Sequence, residues 1–505
     1  MEVFNALQSL MAVDILVYLA IGVLLGSFIG TLPGLTATMG IALIVPLTFW
    51  LQPSQGFAML IGMWNAAIWS GGISAILINT PGTPASICTT LDGYAMTKQG
   101  KAKLALDINT VFSVFGGLFS TFVLILFAFP LAKIALRFGP AEYFSLGIFG
   151  LTMMVSIGGK NVLRSICMGI AGILLATIGT DAIVGLPRFT FKNINLLQGI
   201  NFIAMLIGTF GLSEVLYQIA SSKKEDRSTS NIKFGSDKLS FSLFLKLLPS
   251  SLASAVTGTI IGTIPAAGGD IASVIVWGQG KKLSKHPEEY GNGSITGLST
   301  TCVANNAVIG GALITMLTLG LPGDTVTAIL IGSLISYGVQ PGAQMFQDNS
   351  ALIYIIIALM ILANFIILIY GLSMTKLMSK FLSLKREYIW ICVSILSIVG
   401  SYALQHSLFD VGIMLLFSVI GFFAKHYNFP LGPFVLGFLL SPIIESNFNR
   451  SLIMSYNSLD FMWTRPITLM FLVLSAVSIA GSLYIEVRNS KKIVDSSNIN
   501  KNGYR

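Results

Sequence analysis

Apolar runs of about 20 residues, separated by short polar stretches, recur along most of the chain. Runs of this length predict membrane-spanning helices. Because several runs are short or are interrupted by Gly and Pro, we expect about ten to thirteen crossings together with re-entrant segments. The candidate spans are residues 15–32, 35–51, 56–78, 108–130, 141–157, 163–178, 199–220, 241–264, 297–319, 351–371, 387–404, 408–424, 431–444 and 467–485.

One polar segment interrupts this pattern near the middle of the chain. Residues 221–240, SSKKEDRSTSNIKFGSDKLS, are charged and hold few large apolar side chains. We interpret them as a cytoplasmic linker that separates an N-terminal membrane half, residues 1–220, from a C-terminal membrane half, residues 241–485. A basic tail, residues 486–505, follows. Lys and Arg are frequent in the linker, in the tail and around Lys281, and the positive-inside rule places all three in the cytoplasm.

The composition excludes several classes of protein. Of the 505 residues, 54% are hydrophobic and 10% are charged, whereas a soluble domain has about 25% charged residues. A soluble enzyme and a nucleic-acid-binding protein are therefore excluded, and positive-inside loops account for the net charge of +9. The four cysteines and three histidines lack CxxC or HxxxH spacing, which argues against a metal site and a disulfide framework. No basic region precedes the first apolar run, so we expect that helix to be retained rather than cleaved.

The two halves share sequence motifs in the same order. Residues 26–33 (GSFIGTLP) align with residues 258–265 (GTIIGTIP), and each motif is followed by small and polar residues. A later pair consists of residues 71–83, which contain GG and TPGT, and residues 310–324, which contain GG and LPGD. The two matches together indicate an internal repeat.

Prolines within these duplicated apolar segments predict helix breaks at Pro33, Pro81, Pro265 and Pro322. Proline removes a backbone donor, and the groups that it frees must be satisfied by protein, water or a ligand in the membrane. Corresponding interrupted spans in two halves are typical of a transporter binding site near the bilayer midplane. The alternative is that they are kinks and packing positions, and we favour close helix packing for the neighbouring Gly22 and Gly26.

Three stretches resemble the large membrane subunit of the tripartite tricarboxylate transporter family. They are residues 30–49 (GTLPGLTATMGIALIVPLTF), 71–102 (GGISAILINTPGTPASICTTLDGYAMTKQGKA) and 304–324 (ANNAVIGGALITMLTLGLPGD). Residues 179–191 (GTDAIVGLPRFTF) and 439–452 (LLSPIIESNFNRSL) extend the resemblance to nearly the whole chain.

The resemblance implies an ion-driven importer of small carboxylates in the bacterial inner membrane. It further implies two protein partners, a small four-helix membrane subunit and a periplasmic substrate-binding protein that delivers the solute. We expect no cofactor besides the coupling ion, Na⁺ or H⁺, and the sequence contains no GxxxxGK[ST] motif for ATP. The expected fold is an all-α integral membrane protein with two repeat-related halves, inverted with respect to each other, and Pro/Gly-broken re-entrant or discontinuous helices at the centre.

Uncharged polar residues and glycines beside the breaks are the candidates for substrate binding. Asn and Thr can orient a carboxylate without a full charge, and Gly lets the backbone approach a ligand. For any single Asn or Thr, an interhelical hydrogen bond is an equally good interpretation. The candidates are Thr36, Thr38, Asn79, Thr80, Gly82, Thr83, Gly268, Gly269, Asn305, Asn306 and Gly323.

Two acids in the same segments, Asp270 and Asp324, are the candidates for the coupling ion or proton, because intramembrane acids are costly and usually functional. The alternative is that they cap helices at the water edge. Asp92, Lys98 and Lys101 are interpreted as part of a solvated loop.

Other classes of function remain open at this point. An intramembrane aspartyl protease needs two membrane aspartates, but AGGD at residues 267–270 misses the GxGD pattern and no Tyr-Asp partner precedes it. A channel is a weaker alternative, because rings of like charge are missing. A non-transporting membrane scaffold is the third alternative.

Overall fold

The computed structural model describes residues 12–157, 161–181, 183–221, 235, 237–265, 267–381 and 386–502. Most of the predicted linker and residues 503–505 of the predicted tail lie outside the described residues. The helices are α1 (Val13–Thr31), α2 (Ala37–Thr48), α3 (Pro53–Ile78), α4 (Ile87–Lys98), α5 (Ala102–Ala135), α6 (Pro140–Ile157), α7 (Val162–Ala176), α8 (Phe202–Ser221), α9 (Phe241–Thr263), α10 (Gly269–Leu283), α11 (Ile295–Leu319), α12 (Thr325–Ser336), α13 (Met345–Asp348), α14 (Ser350–Phe381), α15 (Arg386–Gln405), α16 (Leu408–His426), α17 (Leu431–Met454), α18 (Phe461–Thr464) and α19 (Pro466–Asn502).

The prediction of an all-α membrane protein is confirmed. Among the described residues, 11 helices are long and apolar enough to cross a membrane, which falls within the expected range. The apolar run at residues 35–51 forms only the 12-residue helix α2. Such a helix is about 18 Å long, which is too short for a hydrocarbon core of about 30 Å. The inverted relation of the two halves stays a prediction.

The chain forms two compact units. The first contains Met1–Leu136 and Asn201–Phe423, and the second contains Arg137–Ile200 and Ala424–Arg505. In the second unit, the strands β1 (Gly179–Thr180) and β2 (Pro187–Arg188) pair antiparallel. Helices α6, α7, α17 and α19 pack within this unit.

Glycines bring the helices of the first unit into close contact. Helix α1 packs against α3, and a Cβ on Gly22 or Gly26 would overlap the α3 backbone at Met59 or Met63. The packing interpretation of these two glycines is therefore confirmed. Helix α9 packs against α11 in the same way, because Gly258 lies against the backbone of Ala304. Small residues permit such backbone contact between membrane helices.

The interpretation of Asp92 as part of a solvated loop is wrong, whereas Lys98 and Lys101 are exposed. Asp92 lies in helix α4 and is 0% exposed. Its Oδ1 accepts hydrogen bonds from the backbone N–H groups of Gly291 (2.8 Å), Gly293 (3.2 Å) and Ser294 (2.9 Å), and its Oδ2 accepts one from Trp277 Nε1 (2.8 Å). These donors come from a segment about 200 residues later in the chain, which covers the carboxylate.

Candidate functional site

The first half of the chain is interrupted around Pro33. Helix α1 ends at Thr31, Leu32 is extended (φ −85°, ψ 117°), and Gly34 has a φ of +93°. Helix α2 then begins at Ala37, where the Thr36 hydroxyl accepts a hydrogen bond from Met39 N (3.1 Å). Thr36 therefore serves as the N-cap of α2, a role for which a Thr side chain is well suited.

The second half is interrupted around Pro265 with nearly the same backbone geometry. Helix α9 ends at Thr263, and Ile264 is extended (φ −82°, ψ 121°). Helix α10 begins at Gly269 after Gly268, which supplies no side-chain cap. As at any helix N-terminus, the first backbone N–H groups of α10 have no hydrogen-bond acceptor within the helix.

Two further turns follow helices α3 and α11, and they are built alike. Asn79 ends α3 with a φ of 57°, and Gly320 ends α11 with a φ of 70°. Pro81 and Pro322 follow two residues later, where a proline is common because it cannot continue the helix. Pro322 is buried and Pro81 is half-buried.

Within each half, the turn after the long helix touches the break of the preceding helix. A Cβ on Gly82 would overlap the Gly30 carbonyl oxygen, and a Cβ on Gly323 would lie 2.9 Å from the Gly262 carbonyl oxygen. Both positions therefore require glycine because another backbone lies against them.

The structure also brings the turns of one half to the broken helices of the other. Thr38 Oγ1, in α2, lies 2.8 Å from Thr325 Oγ1, at the start of α12. The 3₁₀ turn Pro84–Ser86, which follows Thr83, packs against α10, where Gly269 faces Ala85. The contacts are thus reciprocal between the two halves. Thr325 was missed by sequence reasoning, although its place beside Asp324 in a duplicated turn is a signal.

Asn305 and Asn306 differ in their hydrogen bonding although both lie in α11 and are buried. Asn306 Nδ2 donates to the Cys302 carbonyl one turn earlier (3.0 Å), so this side chain has a partner within its own helix. Asn305 is 5% exposed, and its Oδ1 has no hydrogen-bond partner among the described residues. This oxygen faces Gly269 at the start of α10. A buried acceptor without a donor is costly, so it fits a ligand that brings a donor or a positive charge.

The other candidates in the first turn have local partners or face outward. Asn79 is exposed, the Thr80 hydroxyl donates to the Ile78 carbonyl (3.3 Å), and Thr83 Oγ1 lies 3.1 Å from Ser86 Oγ. These contacts order the turn and leave the Asn79 side chain available.

The two candidate acids have different surroundings. Asp324 is the N-cap of α12, where its Oδ1 accepts from Thr327 N (2.8 Å) in a reciprocal capping box. Asp270 lies in the first turn of α10, is exposed, and is close enough to Asp324 to act on it electrostatically. Asp324 therefore caps a helix, and its position relative to the water edge stays a prediction. Such a role does not preclude an ion nearby. Among the described residues, no group of three or more His, Cys, Asp or Glu side chains could hold a metal.

The apolar helices of the described residues define a multi-pass membrane protein. The chain belongs to the tripartite tricarboxylate transporter TctA family, whose sequence model matches residues 16–436. As a member of this family, it is a membrane subunit of a tripartite tricarboxylate transporter.

Two relatives from Agrobacterium vitis are similar to this chain. An uncharacterized 52.8 kDa protein in the TAR-I ttuC' 3' region is 33% identical over 476 residues, which are 94% of this chain and 94% of the relative. An uncharacterized protein in the TAR-II ttuC' 3' region is 30% identical over 234 residues, which are 46% of this chain and 97% of the relative. No solved structure matches the chain.

Proposed function

We propose that this chain is the large subunit of an ion-coupled secondary importer of small di- or tricarboxylates, with its solute site where the two helix breaks and the two turns meet. The observation that carries the proposal is the reciprocal contact between halves, Thr38 with Thr325 and Gly269 with Ala85. Reciprocal contacts are what two repeats related by a two-fold axis produce, and broken helices at such an axis form transporter sites.

The charges of this region support coupling to a cation. The candidate residues include two carboxylates, Asp270 and Asp324, and no Lys or Arg. A carboxylate solute about 6 Å from one such acid would be destabilised by roughly 3 kcal/mol at an effective dielectric constant of about 20. A cation that enters with the solute removes this repulsion, and Asn305 Oδ1 supplies a neutral oxygen ligand for it. Na⁺ or H⁺ would serve as this cation.

The transport cycle that we propose is alternating access, in which one helical bundle moves relative to the other around the solute. The proposed partners are a small four-helix membrane subunit and a periplasmic substrate-binding protein, with the whole assembly in the bacterial inner membrane. A protease is disfavoured because Asp324 is engaged by Thr327 in a capping box.

Uptake into proteoliposomes tests the proposal. The chain is reconstituted with the small subunit, the cognate binding protein is added outside, and radiolabelled citrate or a four-carbon dicarboxylate is supplied under a Na⁺ or pH gradient. We expect accumulation that an ionophore abolishes. Accumulation that persists after the gradient is collapsed would contradict ion coupling, and no uptake with any carboxylate would contradict the carboxylate assignment.

A pair of variants tests the location of the site. Asn305→Ala removes the unpartnered oxygen, and we expect at least tenfold lower uptake with unchanged membrane insertion. Asn65→Ala is the control, since Asn65 is also buried in a membrane helix but has partners for both amide atoms: its Nδ2 donates to the Ile61 carbonyl (2.9 Å), and its Oδ1 accepts from Asn364 Nδ2 (3.4 Å). Equal uptake by the two variants would remove Asn305 from the site.

A further inference from the structure

The second compact unit contains a cavity of about 230 Å³, separate from the helix breaks described above. The loop that follows α7 forms one wall, and the C-terminal part of α17 forms the other. The two walls include residues from 179–191 and 439–452, the two family-like stretches that the proposed transport site does not use. The polar residues lining the cavity are Thr180, Asp181, Arg188, Gln198, Glu445, Ser446 and Asn449.

Three charged side chains in this cavity carry a net charge of −1. Arg188 donates to both carboxylate oxygens of Glu445, with Nη2 at 3.1 Å from Oε2, and its Nη1 lies 3.2 Å from Asp181 Oδ2. The backbone N–H groups of Val184 and Ile183, followed by Arg188, hold the pKa of Asp181 below its usual range. Asp181 is therefore ionised at neutral pH, and two carboxylates face one guanidinium.

This charge and this size restrict what the cavity can accept. A net negative site repels a carboxylate solute and attracts a cationic group. The volume is smaller than the roughly 300–1,000 Å³ of ordinary ligand pockets. A basic side chain of a protein fits within this volume, and the net negative charge favours it over an anionic solute.

The loop beside the cavity has a strained backbone and presents apolar side chains outward. Phe189, Phe191 and Lys192 have φ values of 53°, 48° and 62°, which non-glycine residues rarely adopt. Phe191 is 84% exposed and Ile194 is 80% exposed. Strain of this kind persists where the surrounding structure imposes it and is found at binding sites. Exposed aromatic side chains around a charged pocket are typical of protein interfaces.

Contacts within the second unit assign this loop to one side of the membrane. Val162 N, at the start of α7, donates to Glu486 in α19 (3.2 Å), and Arg164 donates to the Tyr427 carbonyl (2.9 Å), so these segments share one end. This end carries Arg164 and Lys425 and leads into the basic tail of residues 486–505. By the positive-inside rule this end is cytoplasmic. Helix α17 starts from this end and is long enough to cross a membrane, so we place its C-terminal part, which lines the cavity, toward the periplasm.

We infer that this cavity is a docking point for a basic side chain, Lys or Arg, of the periplasmic substrate-binding protein, with Phe191 and Ile194 at the rim of the interface. The inference rests on the proposed function, because it requires that partner. The charge complementarity of the cavity, its size and its periplasmic side all favour this occupant.

Binding of the purified, solute-loaded cognate binding protein to the full chain in nanodiscs tests the inference. Asp181→Asn removes one charge, and the Asn oxygen can still accept the hydrogen bonds from Ile183 and Val184, so the turn is kept. We expect a Kd at least tenfold higher and a weaker dependence of Kd on salt. Glu486→Gln is the matched control, since it removes one carboxylate at the opposite end of the unit, and its Kd should equal that of the wild type.

A second variant distinguishes weaker binding from a folding defect in the loop. Phe191→Lys adds a positive charge at an exposed rim position, so it should repel the partner and raise the Kd similarly without loss of folded protein. Unchanged Kd values for Asp181→Asn and Phe191→Lys would overturn the inference. Quenching of a Phe191→Trp variant by brominated lipids, with no protection by the binding protein, would show that the rim faces the membrane and would also overturn it.

Failure of the proposed function gives a different result. In that case the wild-type chain neither binds the periplasmic protein nor accumulates solute, and both the proposed function and the inference are wrong. If the wild type binds and transports while Asp181→Asn binds equally well, only the docking point is wrong.

Discussion

The buried Asp92 carboxylate should contribute much of the stability of the contact between α4 and the segment before α11. Its four donors are Gly291 N, Gly293 N, Ser294 N and Trp277 Nε1. Ser294 is also the N-cap of α11, so the carboxylate lies at a helix N-terminus, where a negative charge is favourable. Hydrogen bonds to a charged group contribute about 1.5–3 kcal/mol each.

The cost of removing this carboxylate can be worked from these contacts. Gly291 is exposed, and Gly293 and Trp277 are half-buried, so water can replace part of the lost bonding, whereas Ser294 is buried. We therefore expect Asp92→Ala to lower the free energy of unfolding by about 3–6 kcal/mol. Asp92→Asn keeps Oδ1 as an acceptor but places an amide against the Trp277 N–H donor, so its cost should be about 1–3 kcal/mol.

Thermal unfolding of the purified chain in detergent, followed by tryptophan fluorescence, measures this effect. At about 2 °C per kcal/mol for a large domain, Asp92→Ala should lower Tm by roughly 6–12 °C, and Asp92→Asn by less. The control is Glu288→Ala in the same loop, because Glu288 has a 69% exposed side chain that pairs with the exposed His286. If Asp92→Ala and Glu288→Ala have the same Tm, the Asp92 carboxylate does not stabilise this contact.

Three further predictions follow from the helix contacts of the first unit. Gly26→Leu should prevent α1 from packing on α3 and abolish the monodisperse size-exclusion peak, whereas Gly412→Ala, which has open space around it, should leave the peak intact. Thr38→Val and Thr325→Val should each destabilise the folded protein. A double-mutant cycle of unfolding free energies should give a coupling energy of about 0.5–1.5 kcal/mol. A coupling energy of zero would mean that the 2.8 Å contact is not a stabilising hydrogen bond. Gly323→Ala should reduce carboxylate uptake severalfold relative to Gly412→Ala, because its Cβ meets Ala312; equal uptake would show that this turn tolerates displacement.

The sequence alone predicted the membrane class and the helix breaks because both depend on local chemistry. A bilayer requires apolar helices of about 20 residues, so their number can be estimated from hydropathy. Proline cannot continue a hydrogen-bonded helix, and the chain leaves the helix around Pro33 and Pro265 as expected. Close packing at Gly22 and Gly26 was also predictable, because their four-residue spacing puts both on one helix face.

Only the tertiary structure decided which distant groups meet. Asp92 is buried by a segment about 200 residues away, and Arg188 pairs with Glu445 across an even longer separation. A hydropathy pattern reports the neighbours of a residue along its own helix and contains no information on which loop covers it. The same limit explains why Asn305 and Asn306 look equivalent in the sequence. In the structure, the Asn306 side chain donates a hydrogen bond within α11, whereas the side-chain oxygen of Asn305 has no donor among the described residues.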